Sequence, residues 1–188
     1  MTKEELQSFL PQKPERLQQV AEPKHQQLVD ASYDVVGCIH DVYRQLGGGL
    51  PEYIYQEALS KQLKTKGLTC HKEMRYHPVF NGEPLEAFIK MDLVVESSVG
   101  NIIVECKALT QLTEKEHYQT FGYLRATKFP IAILVNFGTE RRAQIERYHY
   151  DNGTLYVFWL YLTENAAVDL YKSECNQLII RLRVNSQT

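Results

Sequence analysis

Cysteine is scarce in this chain and never paired: Cys38, Cys70, Cys106 and Cys175 are its four cysteines, and no two of them form a C-x-x-C. Neither a zinc knuckle nor a disulfide framework is suggested, and reduced thiols in a cytoplasmic setting fit best. The six histidines contain no H-x-x-x-H pair. A helical zinc site is therefore not indicated, and His71 and His77 read as half-exposed strand residues. Long apolar runs are missing too. The longest, Leu155 to Leu162, spans eight residues. A membrane-crossing helix needs roughly 20, so this run reads as a buried strand and no membrane partner is expected. No basic-then-apolar segment opens the sequence, and a signal peptide is not expected. An excess of one charge is lacking as well, since 21 Lys and Arg stand against 23 Asp and Glu, for a net charge of -2. That disfavours a protein that coats nucleic acid non-specifically. It leaves room for a local basic groove, which is all a catalyst needs, and leaves homo-oligomer formation open.

What is present is a globular chain. Its 188 residues, 44% hydrophobic and 23% charged, suit one domain with a sizeable core. Residues 1–27, rich in Gln, Lys, Glu and Pro, read as a loosely structured N-terminal arm. From Leu28 the residues Val35, Val36, Ile39, Val42, Tyr43 and Leu46 recur at helical spacing until Gly47-Gly48-Gly49. Pro51 at a first helical position, Glu52 in the first turn and Gly67 at the end mark a second helix. The triple glycine has no preceding strand and no Gly-Lys-Ser/Thr after it, so a tight turn between helices is the reading rather than a phosphate loop.

Extended runs follow over Cys70 to Phe80 and Glu83 to Val95, joined by Asn81-Gly82, the strongest short hairpin signal. A third strand covers Ile102 to Ala108. Thr113 and Glu116 form a capping box that opens a helix running to about Lys128. Ile131 to Val135 then suits a strand buried on both faces, reached by a crossover to a parallel neighbour. Ala143 to Tyr150 and Thr154 to Leu162 read as a hairpin around Asp151-Asn152-Gly153. Residues 163–176 read as polar and helical, and Gln177 to Val184 as a last strand. The order predicts an α/β protein with a mixed sheet, with residues 28–150 as the main domain and 151–188 as a β-rich extension packed on it.

The chemistry concentrates in Met91-Asp92-Leu93 and Asn101 to Leu109. Strand alternation sends Ile103, Glu105 and Lys107 to one face and Ile102, Val104 and Cys106 to the other. Asp92 sits alone among apolar neighbours. Buried charge is costly unless compensated, and a divalent cation held by Asp92 and Glu105 beside Lys107 is one compensation. Taken singly, Glu105-x-Lys107 reads sooner as a solvated pair on an edge strand. Glu52 alone reads as a favourable charge at a helix start.

Taken together, these residues resemble the PD-(D/E)xK nuclease superfamily, and within it the group named for G-x-x-E-x-x-Y. The motif stands here as Gly49-Leu50-Pro51-Glu52-Tyr53-Ile54-Tyr55. The likeness continues through Lys90 to Val95, Val104 to Ala108, Gln119 with Tyr123-Leu124, and Leu134 to Gly138, covering about residues 29–150. The third glycine of the turn departs from the group's commoner Gly-x-Gly. The resemblance implies a restriction-endonuclease-like core, with a central mixed sheet flanked by helices. It implies Mg²⁺, for which Mn²⁺ can substitute, held by Asp92 and Glu105 with help from Glu52. It further implies that Lys107 handles the attacking water and the phosphate, and that Gln119 supports the site. The expected activity is hydrolysis of phosphodiester bonds in nucleic acid, DNA more than RNA. The alternative is a non-catalytic module of the same fold that binds nucleic acid or a protein. Tyr55 and Tyr123 are taken as core or site-wall aromatics.

Overall fold

The computed structural model describes residues 18–19 and 24–157. A two-residue strand, β1 (Gln18–Gln19), is followed by helix α1 (Lys24–Leu46), which starts four residues ahead of the expected Leu28. Its periodic residues Val35, Val36, Ile39 and Val42 are all buried. After the glycine turn comes α2 (Glu52–Thr65), opening at Pro51 and ending against Gly67, whose φ of +78° a side chain would disfavour.

Strand β2 (Cys70–Tyr76) is shorter than the expected run to Phe80. Pro78 has no N–H to give to a ladder. Beyond it Val79–Phe80 (β3) and Glu83–Pro84 (β4) form a separate two-stranded ribbon around Asn81-Gly82, at φ of 51° and 85°. The chain returns as β5 (Ile89–Val95), turns into β6 (Ile102–Lys107), and crosses through α3 (Glu114–Thr127) to β7 (Ile131–Asn136). The β6–β7 pairing is parallel, as a crossover helix requires. β8 (Gln144–Asp151) and β9 (Thr154–Val157) close the hairpin around Asn152-Gly153.

The main sheet runs β1-β9-β8-β7-β6-β5-β2 and is mixed. α1 and α2 cover one face, packing Ile39, Leu59 and Leu63 on Leu93, Val104 and Ile133. α3 covers the other, with Leu124 on Met91, Ile103 and Leu134. A buried His117–Glu146 ion pair of 2.7 Å ties α3 to β8. The fold is therefore an α/β sandwich of the restriction-endonuclease-like kind. Among the described residues no helix is long and apolar enough to cross a membrane. Of the expected extension 151–188, the hairpin strand through Val157 belongs to the main sheet. The expected helix at 163–176 and strand at 177–184, and most of the expected arm 1–27, lie outside the described residues.

Candidate active site

The glycine turn and the start of α2 are fixed by one hydroxyl. Tyr55 is fully buried and stacks on Phe137 at 4.4 Å between ring centroids. Its hydroxyl donates to the Gly47 carbonyl at 2.8 Å and accepts from the Leu50 N–H at 3.0 Å. The tyrosine of the G-x-x-E-x-x-Y stretch thus anchors the turn that presents Glu52, and its glycine, Gly49, supplies a φ of +93° there. The middle glycine is required as well: a Cβ on Gly48 would come within 2.5 Å of the Thr139 carbonyl oxygen. Gly48, the glycine that departs from Gly-x-Gly, is therefore a close-packing position.

The site itself lies where two strands part. β5 and β6 pair from Val95↔Ile102 to Leu93↔Val104, and there the ladder stops. Past that point side chains take over the backbone's hydrogen bonds. Cys106 N–H donates to Asp92 Oδ2 at 2.9 Å, and Asp92 N–H donates to Glu105 Oε1 at 3.3 Å. On the other side of β5 the β2 ladder skips the Glu73–Asp92 position, with Glu73 at a φ of +54°. Both strands change parity there. Leu93, Val95 and Cys70 lie on the α1–α2 face, whereas Met91, Met74 and Tyr76 lie on the α3 face. Asp92 therefore occupies a local twist, not a regular strand position. A non-glycine residue at positive φ costs energy, and such costs gather at functional sites.

Glu105 is 1% exposed, and its Oε2 is buried with no hydrogen-bond partner. Lys107 Nζ is 3.6 Å from that oxygen, beyond hydrogen-bond length, and is itself largely buried. The pair is therefore no solvated edge-strand pair. Burial and the Asp92 charge push the Glu105 carboxyl up to about 8, because Lys107 and the Asp92 N–H only partly offset them. Burial also raises Asp92, against the opposing pull of the Cys106 N–H, Lys107 and Gln56. Glu52 is raised by burial, with Lys107 lowering it and Asp92 and Glu116 adding to the rise. Burial acts against the Lys107 ammonium, but the charges of Glu105, Asp92 and Glu52 outweigh it and hold the amine protonated. Three carboxyl groups thus share one ammonium.

Asp92, Glu105 and Lys107 come together directly, and Glu52 reaches them from α2 through its field and through Gln56. The Gln56 amide donates to Glu52 Oε1 at 3.2 Å, and Gln56 also favours the ionised form of Asp92. Gln119 does not meet the carboxylates: its amide donates to the Tyr123 hydroxyl at 2.8 Å, and that hydroxyl donates to the Lys90 carbonyl at 3.3 Å. Tyr123 feels the charges of Glu105, Lys107 and Asp92, so it forms a wall of the site, and Gln119 sits behind it. Sequence reasoning passed over Gln56, whose signal was its place one helical turn after Glu52. It also left Asn136 without a role. The buried Asn136 amide accepts from Leu109 N–H and donates to the Leu109 carbonyl, both at 2.9 Å. It thereby clamps the chain just beyond Lys107, at a crossing so close that a Cβ on Gly138 would meet Leu109 O at 2.2 Å.

Among the described residues no three His, Cys, Asp or Glu side chains stand ready around one point. The donors nevertheless fit a hard cation. All are oxygens, they are under-compensated by charge, and one buried carboxylate oxygen is unpartnered. A model of the PD-(D/E)XK nuclease superfamily matches residues 29–148. The chain belongs to that superfamily. No curated protein matches it. Among solved structures, the crystal structure of SSO0001 is similar over 96% of this chain and 83% of its own, at 17% identity and a TM-score of 0.37.

Proposed function

We propose that the protein is a nuclease of the G-x-x-E-x-x-Y group. It hydrolyses phosphodiester bonds of nucleic acid, DNA in preference to RNA, with Mg²⁺ or, in its place, Mn²⁺. The observation that carries the reading is the unpartnered Glu105 Oε2, held beside Asp92 where the β5–β6 ladder has been given up. A protein that bound nucleic acid through its surface alone would have no use for an under-compensated buried carboxyl group. The three buried free cysteines Cys38, Cys70 and Cys106 accord with a reducing, cytoplasmic setting.

Asp92 and Glu105 would hold the ion, with help from Glu52. When bound, the ion supplies an acidified water and charge neutralisation at the phosphate. The chain's own residues do the rest. Lys107, kept protonated by three acids, places its ammonium on the phosphate oxygens as charge develops and orients the attacking water. Gln56 holds Glu52 by its amide and favours the ionised form of Asp92. Gln119 holds Tyr123 against the β5 backbone at Lys90.

The test is a panel of single- and double-stranded DNA and RNA, incubated with Mg²⁺, Mn²⁺ or EDTA. Charge stabilised only in the transition state affects rate more than binding. Lys107→Ala should therefore lose about 10²-fold or more in cleavage rate while keeping its fold and most of its substrate affinity. If wild type and variant are equally inert on every substrate yet bind one of them alike, the chain is a binding module of this fold instead.

A further inference from the structure

Among the described residues, nothing covers the large side chains of the β3–β4 ribbon. Val79 is 59% and Phe80 65% exposed, and Leu85 and Phe88 beside them are exposed as well. The ribbon is held by its own bonds: Leu85 N–H donates to the Pro78 carbonyl at 2.8 Å, and His77 Nδ1 lies 2.8 Å from the Leu85 carbonyl. Cationic and aromatic groups interleave at its base. The Arg75 guanidinium sits 4.5 Å from the Phe88 ring centroid, and the His77 ring lies 5.8 Å away on a tilted approach. Glu83 and Glu86 are on the same excursion, so the ribbon is not a plain basic patch.

Topology places this ribbon beside the site. β5 runs antiparallel to β6, so its Ile89 end lies next to the Lys107 end of β6. β2 and β5 therefore leave the sheet into the ribbon at the edge where Asp92, Glu105 and Lys107 converge. Across that edge, Leu50, Tyr53 and Leu109 are further exposed apolar residues, on the start of α2 and the loop after β6.

We propose that the ribbon is the substrate-reading element of this site and takes nucleic acid with unpaired bases, as a single strand or the forked end of a duplex. Phe80 and Val79 lie against base faces, and Arg75 reaches the backbone phosphate. The inference rests on the nuclease reading for its choice of occupant. A grip on intact duplex draws its affinity from many Lys and Arg on phosphates, and the ribbon, with Arg75 at its base but Glu83 and Glu86 on the same excursion, offers no such cluster. Exposed aromatics find partners only on bases that are out of the stack. Base–aromatic stacking serves any base sequence, and an apolar wedge on a narrow ribbon is a shape that parts bases.

The test is binding in EDTA, where cleavage cannot confuse the readout, by fluorescence anisotropy with labelled single-stranded, forked and blunt duplex DNA. Wild type should prefer single-stranded and forked DNA to blunt duplex. Phe80→Ala should weaken that binding by about 10-fold, the scale of one lost base stack, and leave blunt-duplex binding unchanged. Phe80→Trp should restore it, with the indole fluorescence quenched on binding. Phe80 is on the surface, so an unchanged thermal midpoint is expected for both variants. The proposal is overturned if wild type prefers blunt duplex, or if Phe80→Ala binds all three DNAs as wild type does. It is equally overturned if Phe80→Ala changes only the sedimentation coefficient, which would make the ribbon a contact between copies of this chain. Loss of cleavage by Lys107→Ala with intact Phe80→Ala binding would sink the ribbon and spare the nuclease. Phe80-dependent binding with no cleavage by wild type would do the reverse.

Discussion

Strand β6 has two neighbours and treats them differently. Toward β7 its ladder is complete, each residue from Ile102 to Lys107 having a partner from Ile131 to Asn136. Toward β5 only Ile102, Ile103 and Val104 are paired, and the remaining backbone groups near Asp92 and Glu105 bond to carboxylates. The same six residues thus make a stability edge and a chemical edge. On the first, hydrogen bonds and apolar burial agree. On the second, ladder bonds are given up so that two acids can be held close together in a poorly solvated place.

The contrast can be broken most forcefully on its closed side. Leu134 is fully buried on β7, directly opposite Glu105. Leu134→Ala should cost about 2–5 kcal/mol, seen as a lower denaturant midpoint with unchanged slope. A loss below about 1 kcal/mol would mean that the closed edge is not the stabilising one.

On the open side the sign should reverse. Glu105→Gln removes an under-compensated buried charge and should stabilise the metal-free protein by on the order of 1 kcal/mol, or about 2–4 °C in thermal midpoint. The effect has a pH signature. Because the folded protein raises this carboxyl from 4.5 to about 8, native Glu105 favours the protonated form. The wild type therefore loses stability as pH rises from the unfolded value toward the folded one. The advantage of the Gln variant should be absent in acid, grow over that interval and level off above it. Equal slopes in the two proteins would show that Glu105 is not so perturbed.

The smallest expected effect is at Glu73, where the twist is made. Glu73→Gly accepts the positive φ and should stay within about 1 kcal/mol of wild type. Glu73→Val resists it, at about 1–2 kcal/mol, and should also weaken Mn²⁺ binding by drawing Asp92 back toward a regular ladder. Identical Mn²⁺ affinity in the two variants would detach the twist from the site.

Much of this was legible in the sequence. Pro51, Gly67 and the Thr113–Glu116 capping box marked helix ends through local backbone chemistry, and the alternation Ile103, Glu105, Lys107 put acid and amine on one face of the strand. The position of Asp92 was not legible in the same way. Period-2 alternation assumes a regular strand, and the turnover at Glu73 and Asp92 has no glycine or asparagine to announce it. Pro78 did signal a break, but the Asn81-Gly82 turn masked it by making one long hairpin look continuous. Asn136 acts through amide bonds to Leu109 set by tertiary contact, for which a linear pattern carries no period; Gln56, one helical turn after Glu52, did carry a spacing signal.

On the proposed reading, the parted strands hold a cation between Asp92 and Glu105. Calorimetric titration of Mn²⁺ into the metal-free protein at neutral pH, repeated in buffers of different ionisation enthalpy, tests it most directly. Wild type should bind weakly and saturably, and should release protons as the ion displaces the one that the raised Glu105 retains. Asp92→Asn and Glu105→Gln should each abolish that binding. Wild-type affinity in both variants, with no proton exchanged in any buffer, would contradict the claim.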